Sequence, residues 1–148
     1  MLISQKCQYG LRAIFELARR GGSEPVSVAE IARSQAIPPR FLEIILGQLK
    51  QAGYVVSRRG ARGGYLLARD PAEITVGEVI RAIQGEIGPV HCQVESTGWE
   101  CPLFGDCVFF PMWERARAAL SGVFDDTTFA HLVGEETRND QVSRVGSA

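Results

Sequence analysis

One stretch constrains the fold more than any other: "VSVAEIARSQAIPPRFLEIILGQLKQAGYVVSRRGARGGYLLARD", residues 26–70. Ser27 is placed to cap a short helix, and Glu30 stands three positions on, where a capping box needs its acid. Val28, Ile31 and Ala32 give that helix an inner face, and it ends near Gln35. Pro38 and Pro39 open the next helix, because the N–H groups of a first turn have no partner within the helix. Leu42, Ile45, Leu46 and Leu49 recur at helical spacing as its buried stripe, and Gly53 ends it. Two short helices joined by a tight turn, with apolar Ile37 inside that turn, form a helix-turn-helix. The period then changes. Tyr54-Val55-Val56 and Tyr65-Leu66-Leu67 flank Arg58, Arg59, Gly60, Arg62, Gly63 and Gly64, a β-hairpin with a basic, glycine-rich tip. A hairpin in this place is a wing.

The flanking segments are helical. "SQKCQYGLRAIFELARR" puts Cys7, Leu11, Ile14 and Ala18 on one face, with Phe15 beside them and Ser4 as N-cap. Thr75 caps "VGEVIRAIQG". Pro111 opens a long helix whose apolar stripe is Met112, Ala116, Leu120 and Val123, and "TTFAHLV" forms one more short helix. Past Gly134 the chain turns polar and is expected to fray. The fold class is mostly α with a small β wing, in one compact domain of 148 residues.

The net charge of −1 conceals an asymmetry. Residues 1–70 carry 11 Lys and Arg against 5 Asp and Glu, and residues 71–148 carry 5 against 12. The first half attracts a polyanion and the second repels one. A helix entering the DNA major groove presents polar side chains near its N-terminus, here Pro39, Arg40 and Glu43, with Gln48 further along. Arg40 can donate twice to a guanine edge, and Glu43 can accept from a cytosine amino group. Arg58, Arg59 and Arg62 bring the wing tip to phosphates or a narrow minor groove. Lys6 and Tyr9 on the first helix are candidate phosphate contacts, and Ser27 completes the set. Neither His91 nor His131 stands in a catalytic pattern, and no phosphate loop or nucleotide fingerprint occurs, so an enzyme is not expected. No membrane span and no signal peptide is evident, which implies a cytoplasmic protein.

Three of the four cysteines, Cys92, Cys101 and Cys107, fall in one Gly-, Pro- and acid-rich loop at C-x8-C-x5-C. In a cytoplasmic protein such a group points to metal or redox chemistry rather than disulfides. Thiolates suit iron and sulfide, and with His91 they also suit zinc. Cys7 reads instead as a small core residue, since it lies on the apolar face of the first helix.

These stretches, with "MLISQKCQYGLRAIFELA" and "ITVGEVIRAIQG", resemble the Rrf-two family of bacterial winged-helix transcription regulators, whose IscR-, NsrR- and RirA-like members carry a cysteine triad here. The resemblance covers roughly residues 1–133. It implies a homodimer on double-stranded operator DNA, acting as a repressor, with the long C-terminal helix forming the dimer. It divides the chain into a winged helix-turn-helix region (1–70), a cluster-binding loop and dimerisation helix (71–133) and a flexible tail (134–148). It also implies that Glu43 reads a base, that Arg59 enters the minor groove, and that Cys92, Cys101 and Cys107 hold an iron–sulfur cluster. The fourth ligand departs from the family. The histidine of IscR-like members is Phe110 here, and the acid of NsrR-like members is Gln8. Cys7, Gln8, His91, Glu100 and Asp106 stand as candidates, and the missing histidine favours a four-iron over a two-iron cluster. The alternative is a regulator of the same family without a cluster, sensing through zinc, thiol oxidation or a partner protein.

Overall fold

The computed structural model describes residues 3–94 and 100–145. Helix α1 (Gln5–Arg20) is capped by Ser4, whose side chain accepts from the Cys7 N–H. Helix α2 (Val28–Gln35) carries the full Ser27/Glu30 capping box. Helix α3 (Pro39–Gln51) begins with proline at N1. Strands β1 (Val55–Arg58) and β2 (Gly64–Leu67) pair antiparallel with Val55 opposite Leu67 and Arg58 opposite Gly64. Helix α4 (Val76–Gln84) has a second capping box, Thr75 with Glu78, and α5 (Phe110–Asp126) and α6 (Phe129–Val145) complete the chain. Capping boxes satisfy orphan backbone donors at both ends of the pair, so the two sequences define where their helices start.

The core lies between α1, α2 and α3. Ile14, Ile31, Leu42, Ile45, Leu46 and Leu49 are completely buried there, joined by Val55 from the wing and Val79 from α4. This burial leaves the opposite arc of α3 to solvent. The wing is fastened to the start of α2: the backbones of Val26 and Tyr65 exchange hydrogen bonds of 2.9 and 2.8 Å. Gly64 permits this approach, because a Cβ there would collide with the Val26 carbonyl.

Glu16 is the one charged residue buried in the described core, and it locks α1 to α2. Its carboxylate accepts from Arg19 at 2.7 Å, Arg20 at 2.8 Å and, across to α2, Gln35 at 2.9 Å. Burial alone would raise its pKa; the hydrogen bonds from Arg20, Gln35 and Arg19 outweigh burial and hold it down to about 2. A depressed pKa contributes stability that is present above the ordinary carboxylate range and is lost as pH falls from about 4.5 through about 2. Glu16→Gln is expected to cost about 1–2 kcal/mol at neutral pH. Its urea midpoint should also fall less steeply between pH 4.5 and 2 than that of the wild type. Parallel acid slopes for the two proteins would refute the role given to Glu16.

The C-terminal part departs from the sequence reading. "TTFAHLV" is the start of a 17-residue helix, not a short one, and the polar stretch after Gly134 continues as helix to Val145. Its residues lack an apolar face, which is why periodicity did not reveal it. The helix is supported by a His131–Glu135 contact of 3.2 Å and docked through Phe129. The stripe of α5 is divided: Met112 is 46% and Val123 65% exposed, whereas Leu120 is half-buried against Cys7, Ile80 and Ile87, and no residue of α5 is fully buried.

Candidate functional site

The exposed arc of α3 follows from its buried stripe. With Leu42, Ile45, Leu46 and Leu49 turned inward, Pro39, Arg40, Glu43 and Lys50 are exposed on the far side. Arg58, Arg59 and Arg62 are exposed on the wing, and among the described residues none of them enters an ion pair. Lys50 ties the two elements together, its Nζ donating to Ser57 Oγ at 2.6 Å. On α1, Lys6 is partly exposed. The Tyr9 ring meets Phe41 edge-on at 6.4 Å between centroids, and the Arg12 guanidinium lies 5.9 Å from the Tyr9 ring centre. Ser27 spends its hydroxyl on the Glu30 cap. Two apolar side chains on α3, Phe41 and Ile44, are also exposed, which the spacing of polar residues does not reveal.

Gln48 is corrected. The sequence placed it with the DNA contacts, but its Nε2 donates to the Ala82 carbonyl at 3.0 Å, at the C-terminal turn of α4. Those last carbonyls have no partner within the helix, and a half-buried amide satisfies one of them. The same turn meets α1 as well, where the Ser4 N–H donates to Gln84 Oε1 at 3.1 Å. The end of α4 therefore touches both α1 and α3, and the chain runs from it directly to Cys92.

Cys92, Cys101 and Cys107 are partly exposed free thiols. Cys7 differs in kind. It is fully buried beside Ile80 and Ile87, and burial pushes its thiol up to about 11, so it stays protonated at neutral pH. Its burial matches the reading of Cys7 as a small core residue. Gln8 donates its amide to the Ile3 carbonyl at 3.0 Å, while His91, Glu100 and Asp106 are exposed in or beside the loop. Among the described residues, no group of three or more His, Cys, Asp and Glu side chains lies close enough to hold a metal ion. Part of the loop, residues 95–99, lies outside the described residues. The donor set suits iron and sulfide in kind, and the three sulfurs are not gathered in this conformation. Phe104 and Phe110 pack edge-on at 6.1 Å beside Cys107, and Leu103, Val108 and Phe109 are exposed nearby.

A helix-turn-helix bearing a basic two-stranded wing is a winged-helix DNA-binding fold, and the arrangement is that of a transcription regulator rather than an enzyme. The chain belongs to the Rrf2 family, described as "Iron-dependent Transcriptional regulator", whose model matches residues 3–135. It is 34% identical to Protein rrf2 of Nitratidesulfovibrio vulgaris, over 90% of this chain and 87% of that one. The solved structure of CymR, the global cysteine regulator of B. subtilis, is 36% identical with a TM-score of 0.77, covering 91% of this chain and 98% of CymR. The structure of T. potens IscR is 33% identical with a TM-score of 0.75, covering 92% and 88%. No helix among the described residues is long and apolar enough to cross a membrane.

Proposed function

We propose that this protein is a homodimeric repressor whose hold on operator DNA is governed by an iron–sulfur cluster on Cys92, Cys101 and Cys107. One observation carries this reading: three free, partly exposed thiols lie in the chain between the helix that braces α3 and the helix that exposes Met112 and Val123. The family description as iron-dependent and the likeness to IscR support it.

Arg40 and Glu43 read base edges, Arg59 enters the minor groove, and Arg58, Arg62, Lys6 and Tyr9 hold phosphates. The exposed side chains of the α5 stripe, Met112 and Val123, pack against a second copy, which removes that apolar surface from water. Two α3 helices must then present themselves one DNA turn apart, about 34–36 Å. Cys92, Cys101 and Cys107 act as ligands, with Glu100, Asp106 and His91 among the candidates for the fourth position. A bound cluster, with four iron atoms the favoured form, supplies iron- and redox-responsive chemistry there. The chain does the rest: a change in the loop's closure moves the end of α4, Gln48 passes it to α3, and the population of operator-competent dimers changes.

The test is purification without air, followed by iron, sulfide and absorbance measurements. The intact protein should carry iron and sulfide, and Cys92→Ala, Cys101→Ala and Cys107→Ala should each lose most of both. A colourless, iron-free protein under these conditions refutes the cluster. A second reading, a regulator that senses by zinc, thiol oxidation or a partner protein, is supported by the likeness to CymR. It requires iron-free protein to bind the operator as tightly as iron-loaded protein.

A further inference from the structure

Ile44 is 66% exposed, and Phe41, one turn before it, is 55% exposed. Large apolar side chains on water are ordinary when scattered, but Ile44 sits near the middle of the arc opposite the buried stripe of α3. Arg40 lies one turn before it and Gly47 almost one turn after it, with Glu43 alongside. Phe41 has a neighbour in Tyr9, whereas Ile44 belongs to neither hydrophobic cluster of the described core nor packs against one.

Gly47 makes the arrangement pointed. Glycine weakens a helix interior, and a Cβ at this position would meet nothing within 4 Å. Nothing in the chain's own packing needs the side chain to be absent. The bare backbone one turn beyond Ile44 instead lets this face approach another surface closely. The surroundings name that surface. Lys50 is exposed on the same helix, and the three wing arginines are exposed beyond it, so the approaching body is a polyanion. The one apolar group that the major groove of duplex DNA offers is the C5-methyl of thymine.

We infer that Ile44 is a base-reading residue that packs on a thymine methyl in each half-site, with Gly47 letting the helix sit deep enough to make the contact. The inference rests on the DNA-binding reading above, and it adds a preference that Arg40 and Glu43 do not supply. Those two select guanine and cytosine edges, and Ile44 selects an adjoining A·T pair in one orientation.

The full chain is first used to select duplexes from a randomised library. Each thymine of the selected duplex is then replaced by deoxyuridine, which removes only the methyl group. At one symmetry-related position, the replacement should weaken binding about fourfold, the loss of one buried methyl. Ile44→Ala should weaken the unmodified duplex by a similar factor and be indifferent to deoxyuridine at that position. Its melting temperature should match the wild type, since the side chain is exposed. The assignment is overturned if Ile44→Ala remains as sensitive to deoxyuridine as the wild type, or if no thymine methyl matters. It is also overturned if Ile44→Ala changes the oligomeric state in sedimentation, because the face then binds protein. Enrichment of no duplex at all would refute the DNA-binding reading itself, a result distinct from these.

Discussion

Changing Arg58, Arg59 and Arg62 together to alanine should lower operator affinity by about 100-fold near physiological salt, from roughly 1 kcal/mol per lost contact. The three side chains are exposed on and beside a turn, and among the described residues none is in an ion pair, so folding should be left intact. The cause is electrostatic. Each phosphate neutralised releases condensed counterions, so the logarithm of affinity falls with the logarithm of salt by about 0.9 per contact. The triple variant should therefore show a salt slope shallower by about 2–3, measured by fluorescence anisotropy on an operator duplex across a salt series. An unchanged slope would place the wing off the DNA, whatever the affinity did. Arg59→Ala alone should lose more than Arg58→Ala or Arg62→Ala if it is the residue that enters the minor groove, where the negative potential is concentrated.

Phe129→Ala is expected to have the largest effect on stability, about 3–5 kcal/mol, as for a large aromatic removed from a closed core. Phe129 is completely buried and belongs to the same cluster as Ile14, Leu46 and Ile74. Its backbone N–H donates to the Ile74 carbonyl at 3.1 Å, and the Val76 N–H donates to Thr127 at 2.9 Å, so the link between α5 and α6 is stitched to the start of α4. The Arg81–Asp125 pair, with both oxygens held at 2.7 and 2.8 Å, fixes the same corner from outside. Losing the ring leaves these polar links in place and removes the apolar anchor of α6. Urea unfolding followed by circular dichroism should show a lowered midpoint with loss of helix. A cost below about 1 kcal/mol would mean that α6 is not anchored through this ring.

Much of the DNA-facing half could be read from the chain because its signals are local. Ser27 with Glu30 marks one helix start within four residues, Pro39 marks another, and the glycines between the two short β runs mark the wing. The stripe Leu42–Leu49 assigned the buried side of α3, and by elimination the exposed one. Gln48 was misplaced because helical angle puts it at the edge of that exposed arc, and only the proximity of α4 turns it inward. Ile44 was overlooked for a different reason: an apolar residue in an amphipathic helix reads as core until its neighbours are known.

By itself the sequence determined the helix boundaries of the helix-turn-helix, the wing and its charge, and the presence of three thiols in one loop. All of these depend on residues a few positions apart. Only the tertiary structure decided that Gln48 braces α4, that Met112 and Val123 of α5 stay exposed while Leu120 packs inward, and that the polar tail continues as helix beyond Phe129. These depend on which surfaces meet across long separations in the chain, and periodicity records that a face is apolar without recording what covers it.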